Sequence, residues 1–428
     1  MRIEKDVDQL LEAGVISEET AVKIRDYYTQ KKDGSAGRLF VIFGILGAVL
    51  VGLGILLIVA HNWDELSKQT RTFLAFIPLV ASQGICGYVL VRRPESTAWR
   101  EGGASFLFLA VGTCMALVSQ IYNILGNLND YLFTWMLLCL PLIYVLKSSM
   151  SSLFYILGIS AYVISSGYGG STNTESFFYW PMLLAVLPHY YFLYKSSPKS
   201  NFLTIHSWFL PLSLLFSLGT LSDQFGYFMF WAYSSMFGLF FLIGRLTFFR
   251  ERTLRNNSYL VIGSLGTTYI LLHLSFSDFW NSMYGQSILL RDLLISPEFI
   301  VSTLLSFAAC FLLVRLVRNR MIDFKEPFGF IFLIFIPVFI MGFWFPISVI
   351  LINLLVLLLG IFIVRSGAKS DNLGQVNFGL IIIALLIMCR FFDADLSFVV
   401  RGVLFVLLGL AFFVANHRIL KKRKTNEK

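Results

Sequence analysis

Long uninterrupted apolar runs leave this chain few folds to choose from. Fourteen can be read between Leu39 and Ala415: 39–60, 72–92, 102–122, 131–147, 151–167, 177–195, 203–222, 224–244, 258–277, 299–317, 327–345, 346–364, 376–392 and 397–415. Most have the roughly 17–25 residues that a helix needs to cross the hydrocarbon core. In lipid the backbone must satisfy its own hydrogen bonds, which leaves only helices and closed barrels. Runs this long and continuous exclude a barrel. The expected fold is all-α: a polytopic α-helical membrane protein of about fourteen transmembrane helices.

Charge supports the same count. With alternate loops assigned to opposite sides, 29 of the 34 Lys and Arg residues fall on one face, which also holds both termini. Lys and Arg collect in cytoplasmic loops, and one miscounted span would scramble the pattern beyond it. The expected topology is multi-pass, with the N- and C-termini cytoplasmic; the bacterial cytoplasmic (inner) membrane is the location that the family resemblance given below implies. The formal charge of +9 therefore belongs to loops facing the anionic inner leaflet and does not point to nucleic acid. Three organisational units are expected: 1–38, a small cytoplasmic helical hairpin and linker; 39–415, the transmembrane bundle; and 416–428, a basic cytoplasmic tail.

In the first unit Ile3, Val7, Leu10 and Leu11 recur at helical spacing. Gly14 suits a left-handed stop, and Ser17 suits the N-cap of a second helix running to about Gln30. Two short helices bury too little to stand alone. They are expected to pack on the loops, on a second copy, or on a protein partner at residues 1–34. A DNA-binding helix–turn–helix is not the reading, because no third helix and no basic recognition face is present. The outer loop 278–298 contains Ile288-Leu289-Leu290 and Leu293-Leu294-Ile295, which suggest a short interfacial helix.

Three polar clusters fall on the outer face of this topology. The first holds His61, Asn62, Trp63, Asp64, Glu65 and Arg71. The second holds Gln120, Tyr122 and Asn123, and the third Arg390, Asp393, Asp395 and Arg401. Charges at the edge of a span normally find a partner, and an arginine fork suits phosphate or carboxylate. Each cluster also has a structural reading. Trp63 and Tyr122 fit an aromatic belt, Asp64 or Ser67 can cap the next helix, and Arg390 can pair with Asp393 as a hairpin clip. Inside the spans, His189 and Asn353 are the mid-membrane candidates. His189 follows Pro188, and Pro181 precedes it, which suggests a kinked sixth span.

Several chemistries are missing from the sequence. It has no GxxxxGK[ST] loop, no HExxH, no GxSxG and no Cys/His array of zinc spacing. No metal and no cofactor is expected, and an enzymatic role is disfavoured. The five cysteines lie within apolar runs, are odd in number and form no CxxC, so they read as buried thiols.

A set of local motifs carries a family resemblance. It begins with Leu11-Glu12-Ala13-Gly14-Val15-Ile16-Ser17 and continues through the glycine-rich first span to His61-Asn62-Trp63-Asp64 and Arg71. It includes Gln120-Ile121-Tyr122-Asn123 with Trp135, then Arg390-Phe391-Phe392-Asp393 and Arg401-Gly402-Val403-Leu404-Phe405. In these segments, about 8–147 and 375–415, the chain resembles the bacterial membrane proteins grouped as domain of unknown function 2157. The resemblance implies a multi-spanning bacterial membrane protein and supplies no reaction. Many spans with almost no soluble domain favour transport or flipping of a small polar or lipid-linked solute. That reading expects a cavity reached by Arg390, Gln120 or His189. The alternatives are a membrane-embedded enzyme with an outer-face site and a scaffold or sensor acting through the N-terminal hairpin.

Overall fold

The computed structural model describes residues 7, 10–24, 63–168, 174–286, 289–323 and 326–393, with seven helical positions between 399 and 413. The first apolar stretch, most of the last, the basic tail, and His61, Asn62, Asp395 and Arg401 lie outside these residues. At Asp64 and Asp393 the backbone alone is described. Among the described residues every regular element is helical.

The longer helices are α1 Lys68–Arg92, α2 Thr97–Tyr122, α3 Leu128–Val145, α4 Ser149–Gly167, α5 Tyr179–Ser196, α6 Asn201–Leu218 and α7 Phe228–Ile243. They continue with α8 Ser258–His273, the short α9 Ser277–Met283 and α10 Leu290–Ile295, α11 Pro297–Arg318, α12 Ile331–Met341, α13 Ser348–Lys369 and α14 Leu373–Asp393. Eight are long and apolar enough to cross a membrane: α1 to α4, α6 with its extension to Leu221, α11, α13 and α14. A ninth arises if α8 and α9 form one broken span, bent by 72°. α7 and α12 are apolar but only 16 and 11 residues long. The twelve stretches from 72–92 to 376–392 each coincide with a helix, and eight or nine meet the length and composition of a span.

One expectation is corrected. The stretch 258–277 does not run through as one helix: it stops at His273, and residues 277–283, read from sequence as loop, form α9. Ser275, Ser277 and Asp278 interrupt the apolar run there. Serine offers the backbone local hydrogen bonds that compete with the helix. Asp278 sits in the first turn of α9, where a negative charge is favoured.

The chain divides into two compact units, Met1–Ile77 with Gln120–Asn123, and Pro78–Ser119 with Ile124–Lys428. In the first, residues 10–12 and 18–24 are helical. Gly14 between them takes φ +67°, and Ser17 Oγ accepts the Thr20 N–H at 3.3 Å, matching the stop and cap expected of those two residues. In the second unit α7 is the central element. It packs against α8, α11 and α12 and is buried on nearly every face, as a helix apolar all round must be. Phe228 and Trp231 on α7 make mostly edge-to-face ring contacts with Phe299 of α11 and Phe339 of α12. Trp231 also donates its indole N–H to Ser306 Oγ on α11 at 2.8 Å.

The α7–α8 crossing depends on Gly263. A Cβ there would lie 2.5 Å from the Phe241 backbone nitrogen and 2.7 Å from the Phe237 carbonyl oxygen. Neither atom can rotate away. Gly263→Ala should therefore lower the thermal midpoint in detergent by an amount matching about 1–3 kcal/mol, despite alanine's better helix propensity. Gly84→Ala on α1, with open space around it, should be neutral or stabilising in the same assay.

Candidate functional site

In the first unit Tyr122 of the second predicted cluster packs on the helix that follows the first cluster. Trp63–Glu65 forms a single 3₁₀ turn. Ser67 Oγ caps α1 by accepting the Thr70 N–H at 3.2 Å, and Arg71 Nε–H donates to the Leu66 carbonyl at 2.9 Å. Tyr122 closes onto the same helix. Its ring lies 4.5 Å from Lys68 Nζ, and its hydroxyl accepts from Thr72 Oγ1 at 3.2 Å. Asn123 ends α2 in the left-handed region at φ +51°, a conformation asparagine tolerates. These contacts are anchoring and capping. Glu65 and Gln120 are exposed.

In the second unit Arg390 and Asn353, read from sequence as members of different groups, converge on the break between α8 and α9. Asn353 Nδ2–H donates to the Ser275 carbonyl at 3.0 Å and to Val349 O at 2.7 Å. Arg390 Nη2–H donates to Ser275 Oγ at 3.3 Å, with the guanidinium 5.3 Å from the Phe276 ring. Trp280 of α9 reaches back and donates to the Leu274 carbonyl at 2.7 Å. Ser275 is fully buried. Non-helical backbone at membrane depth persists only inside protein or along a cavity. Here Trp280 and Asn353 take up the two carbonyls released by the bend. Asn353 Oδ1 is buried and accepts no hydrogen bond among the described residues.

A second buried polar cluster was not anticipated. Glu101, at the start of α2, accepts three hydrogen bonds: from Ser148 Oγ at 2.7 Å, Ser149 N–H at 2.9 Å and Met150 N–H at 2.8 Å. It thereby completes the open first turn of α4, where the helix dipole favours a carboxylate. Ser149 Oγ also lies 3.3 Å from His189 Nε2. His206 on α6 has Nδ1 2.8 Å from the Phe202 carbonyl, which requires that nitrogen to carry a proton and donate. In the neutral ring Nε2 then accepts from Ser152 Oγ, 2.9 Å away. The two imidazole rings are 5.9 Å apart. Although serine, histidine and a carboxylate are all present, they form no catalytic relay. Such a relay needs the acid to orient the histidine, whereas the three hydrogen bonds of Glu101 all go to the start of α4. In the sequence Glu101 stands beside Arg100 with no motif to mark it. The run Ser148-Ser149-Met150-Ser151-Ser152 was the available signal of a polar helix start.

α5 runs through Pro188 as one helix. The Tyr144 hydroxyl donates to the Ala185 carbonyl, in the turn that the proline opens. Glu298 closes the tight turn after α6. It is fully buried, and Oε1 accepts from the N–H groups of Asp223 at 2.5 Å and Phe225 at 2.9 Å. Three open pockets lie on this unit, of about 280, 450 and 890 Å³, and none of the three is lined by Arg390, His189 or Gln120.

Among the described residues every regular element is helical and eight helices are long and apolar enough to cross a bilayer, which is the make-up of a multi-helix membrane protein. Residues 8–152 match the model of a family described as predicted membrane protein (DUF2157). That span contains the first two polar clusters and Glu101 with its three donors, while Asn353 and Arg390 lie beyond it. No curated protein and no solved structure matches the chain.

Removal of the Glu101 carboxylate leaves two backbone N–H groups and a hydroxyl facing an apolar interior. Glu101→Ala should cost about 2–4 kcal/mol, read as a lowered unfolding midpoint in detergent. Glu101→Gln keeps one accepting oxygen and should fall between Ala and the parent. An alanine variant as stable as the parent would contradict the capping role.

Proposed function

We propose that this chain is a carrier or flippase for an anionic small or lipid-linked solute, working at the break between α8 and α9. One observation supports the reading most. A span bent by 72° receives an arginine and an asparagine from two other helices at the same residue, Ser275. Broken helices whose freed backbone groups meet side chains from neighbouring helices are how transporters build solute sites at membrane depth. Two groups suffice to finish the freed carbonyls, so the arginine is not needed for that purpose. Its planar, permanently charged fork is the donor suited to phosphate or carboxylate.

The charge asymmetry of the loops supports placing the protein in the bacterial inner membrane, with fourteen spans and both termini in the cytoplasm. Residues 1–38 then form a cytoplasmic hairpin and linker, 39–415 the bundle and 416–428 a basic tail.

The reading is tested by binding in phosphatidylcholine nanodiscs, followed by tryptophan fluorescence, because Trp280 sits at the break. The probes are a polyprenyl monophosphate, the matching neutral polyprenol and inorganic phosphate. Saturable binding of a phosphate-bearing probe is expected, weakened about tenfold or more by Arg390→Gln, the loss of one charge-assisted hydrogen-bonded contact. The response to inorganic phosphate separates a small solute from a lipid-linked one. Failure of both anionic probes to bind, or equal affinity in the variant, would overturn the assignment.

A further inference from the structure

The largest of the three open pockets has a chemistry unlike the rest of the surface. It holds about 890 Å³ between the first two turns of α6 and the turn that precedes α8. Its walls carry the hydroxyls of Thr204 and Thr253, the amides of Asn201 and Asn256, and the guanidinium of Arg255. No carboxylate lines it. Arg255 is exposed, and its side chain makes no hydrogen bond or ion pair among the described residues.

The pocket is a built feature. Trp208 Nε1–H donates to the Arg255 carbonyl at 3.2 Å, which pins the turn onto α6. Arg252 braces the rim. Its guanidinium stacks 4.3 Å from the Phe248 ring, reaches Thr204 Oγ1 at 3.5 Å, and also donates to the Pro198 carbonyl. Asn257 holds the turn from inside, donating to the Gly244 and Phe249 carbonyls at 2.9 and 3.0 Å. Arg245, at the start of the turn, is already paired with Glu326 at 2.6 Å. Arg255 is therefore the arginine of this turn that lines the pocket with its charge uncompensated.

Depth adds the second half of the argument. α6 is one of the helices apolar and long enough to span, so its first two turns cross from water into the interface. Trp208, an amphipathic ring of the kind found at headgroup level, lines the pocket's inner wall. Ile205 beside it is 38% exposed. Farther along α6 and α8 the exposed large side chains are apolar: Phe216, Leu265 and Tyr269. A ligand seated here meets cationic and hydroxyl groups at one end and bare hydrocarbon at the other.

We propose that this pocket binds the phosphodiester headgroup of an anionic phospholipid, with Arg255 and the two threonine hydroxyls on the phosphate and the acyl chains along the Ile205 face. The proposal does not rest on the carrier reading. Basic pockets between transmembrane helices suit such headgroups because both the surface potential and direct hydrogen bonds favour them.

The test is native mass spectrometry of the full chain released from detergent, with phosphatidylglycerol, phosphatidylcholine or inorganic phosphate added at equal concentration. The expected result is a retained phosphatidylglycerol adduct that phosphatidylcholine does not reproduce. Arg255→Gln should weaken it about fivefold, the factor for one arginine at an anionic headgroup. Arg318→Gln removes an equal charge from an exposed helix end and should leave the adduct unchanged. Equal adducts with both lipids, an unaltered Arg255→Gln, or an equal loss in Arg318→Gln would overturn the proposal. Full displacement by inorganic phosphate would also overturn it, because the pocket would then take a free anion. An intact, folded Arg255→Gln is verified by an unchanged unfolding midpoint.

Discussion

A backbone that leaves water must find every hydrogen bond within the protein, and this structure is organised around the places where helices alone cannot supply them. Several helix ends and turns among the described residues are finished by polar side chains from elsewhere in the sequence. Glu101 closes the start of α4, and Glu298 closes the turn at Asp223 and Phe225. Asn257 takes the carbonyls of Gly244 and Phe249. Ser348 donates to the Val338 carbonyl at 3.0 Å. In an apolar medium each such bond is worth more than it would be in water, and each orphaned group costs more. That explains why a chain with 57% hydrophobic residues keeps carboxylates in its core.

The break between α8 and α9 obeys the same rule and then exceeds it. Trp280 and Asn353 satisfy the released carbonyls. Arg390 arrives in addition, from a helix whose own backbone does not need it there. Arg390 is half-buried there, with its guanidinium 5.3 Å from the Phe276 ring. The histidine cluster shows the contrast. His206 is held by two defined hydrogen bonds, and its neighbours are helix-capping serines, so packing and capping account for it.

Much of the fold was legible in the sequence, because apolar run length is a one-dimensional signal. The helices follow the apolar stretches closely, and Gly14, Ser17 and Tyr122 do locally what their residue types suggest. The break at Leu274 was missed because its cause is three-dimensional. Ser275 and Ser277 are unremarkable in a hydropathy pattern until Asn353 and Trp280 are seen to stabilise the bend. The site was half visible: Arg390 and Asn353 stood out as costly residues, but their meeting point at Ser275 lies 78 residues from Asn353 and 115 from Arg390 along the chain. Glu101 was not legible, because beside Arg100 at the edge of an apolar run it carries no local signal of burial. Only the three donors from residues 148–150 reveal its role.

The most direct measurement of the central claim is residue-level hydrogen exchange of the protein in nanodiscs, comparing the two ends of α8. A break that serves as a working site opens to water. The amides of Leu274, Ser275 and Phe276 should then exchange much faster than those of Ile262–Ile270 on the same helix, and an anionic ligand should slow them. Equal protection along the whole segment from Ser258 to Met283 would contradict the account and make the bend a rigid packing feature.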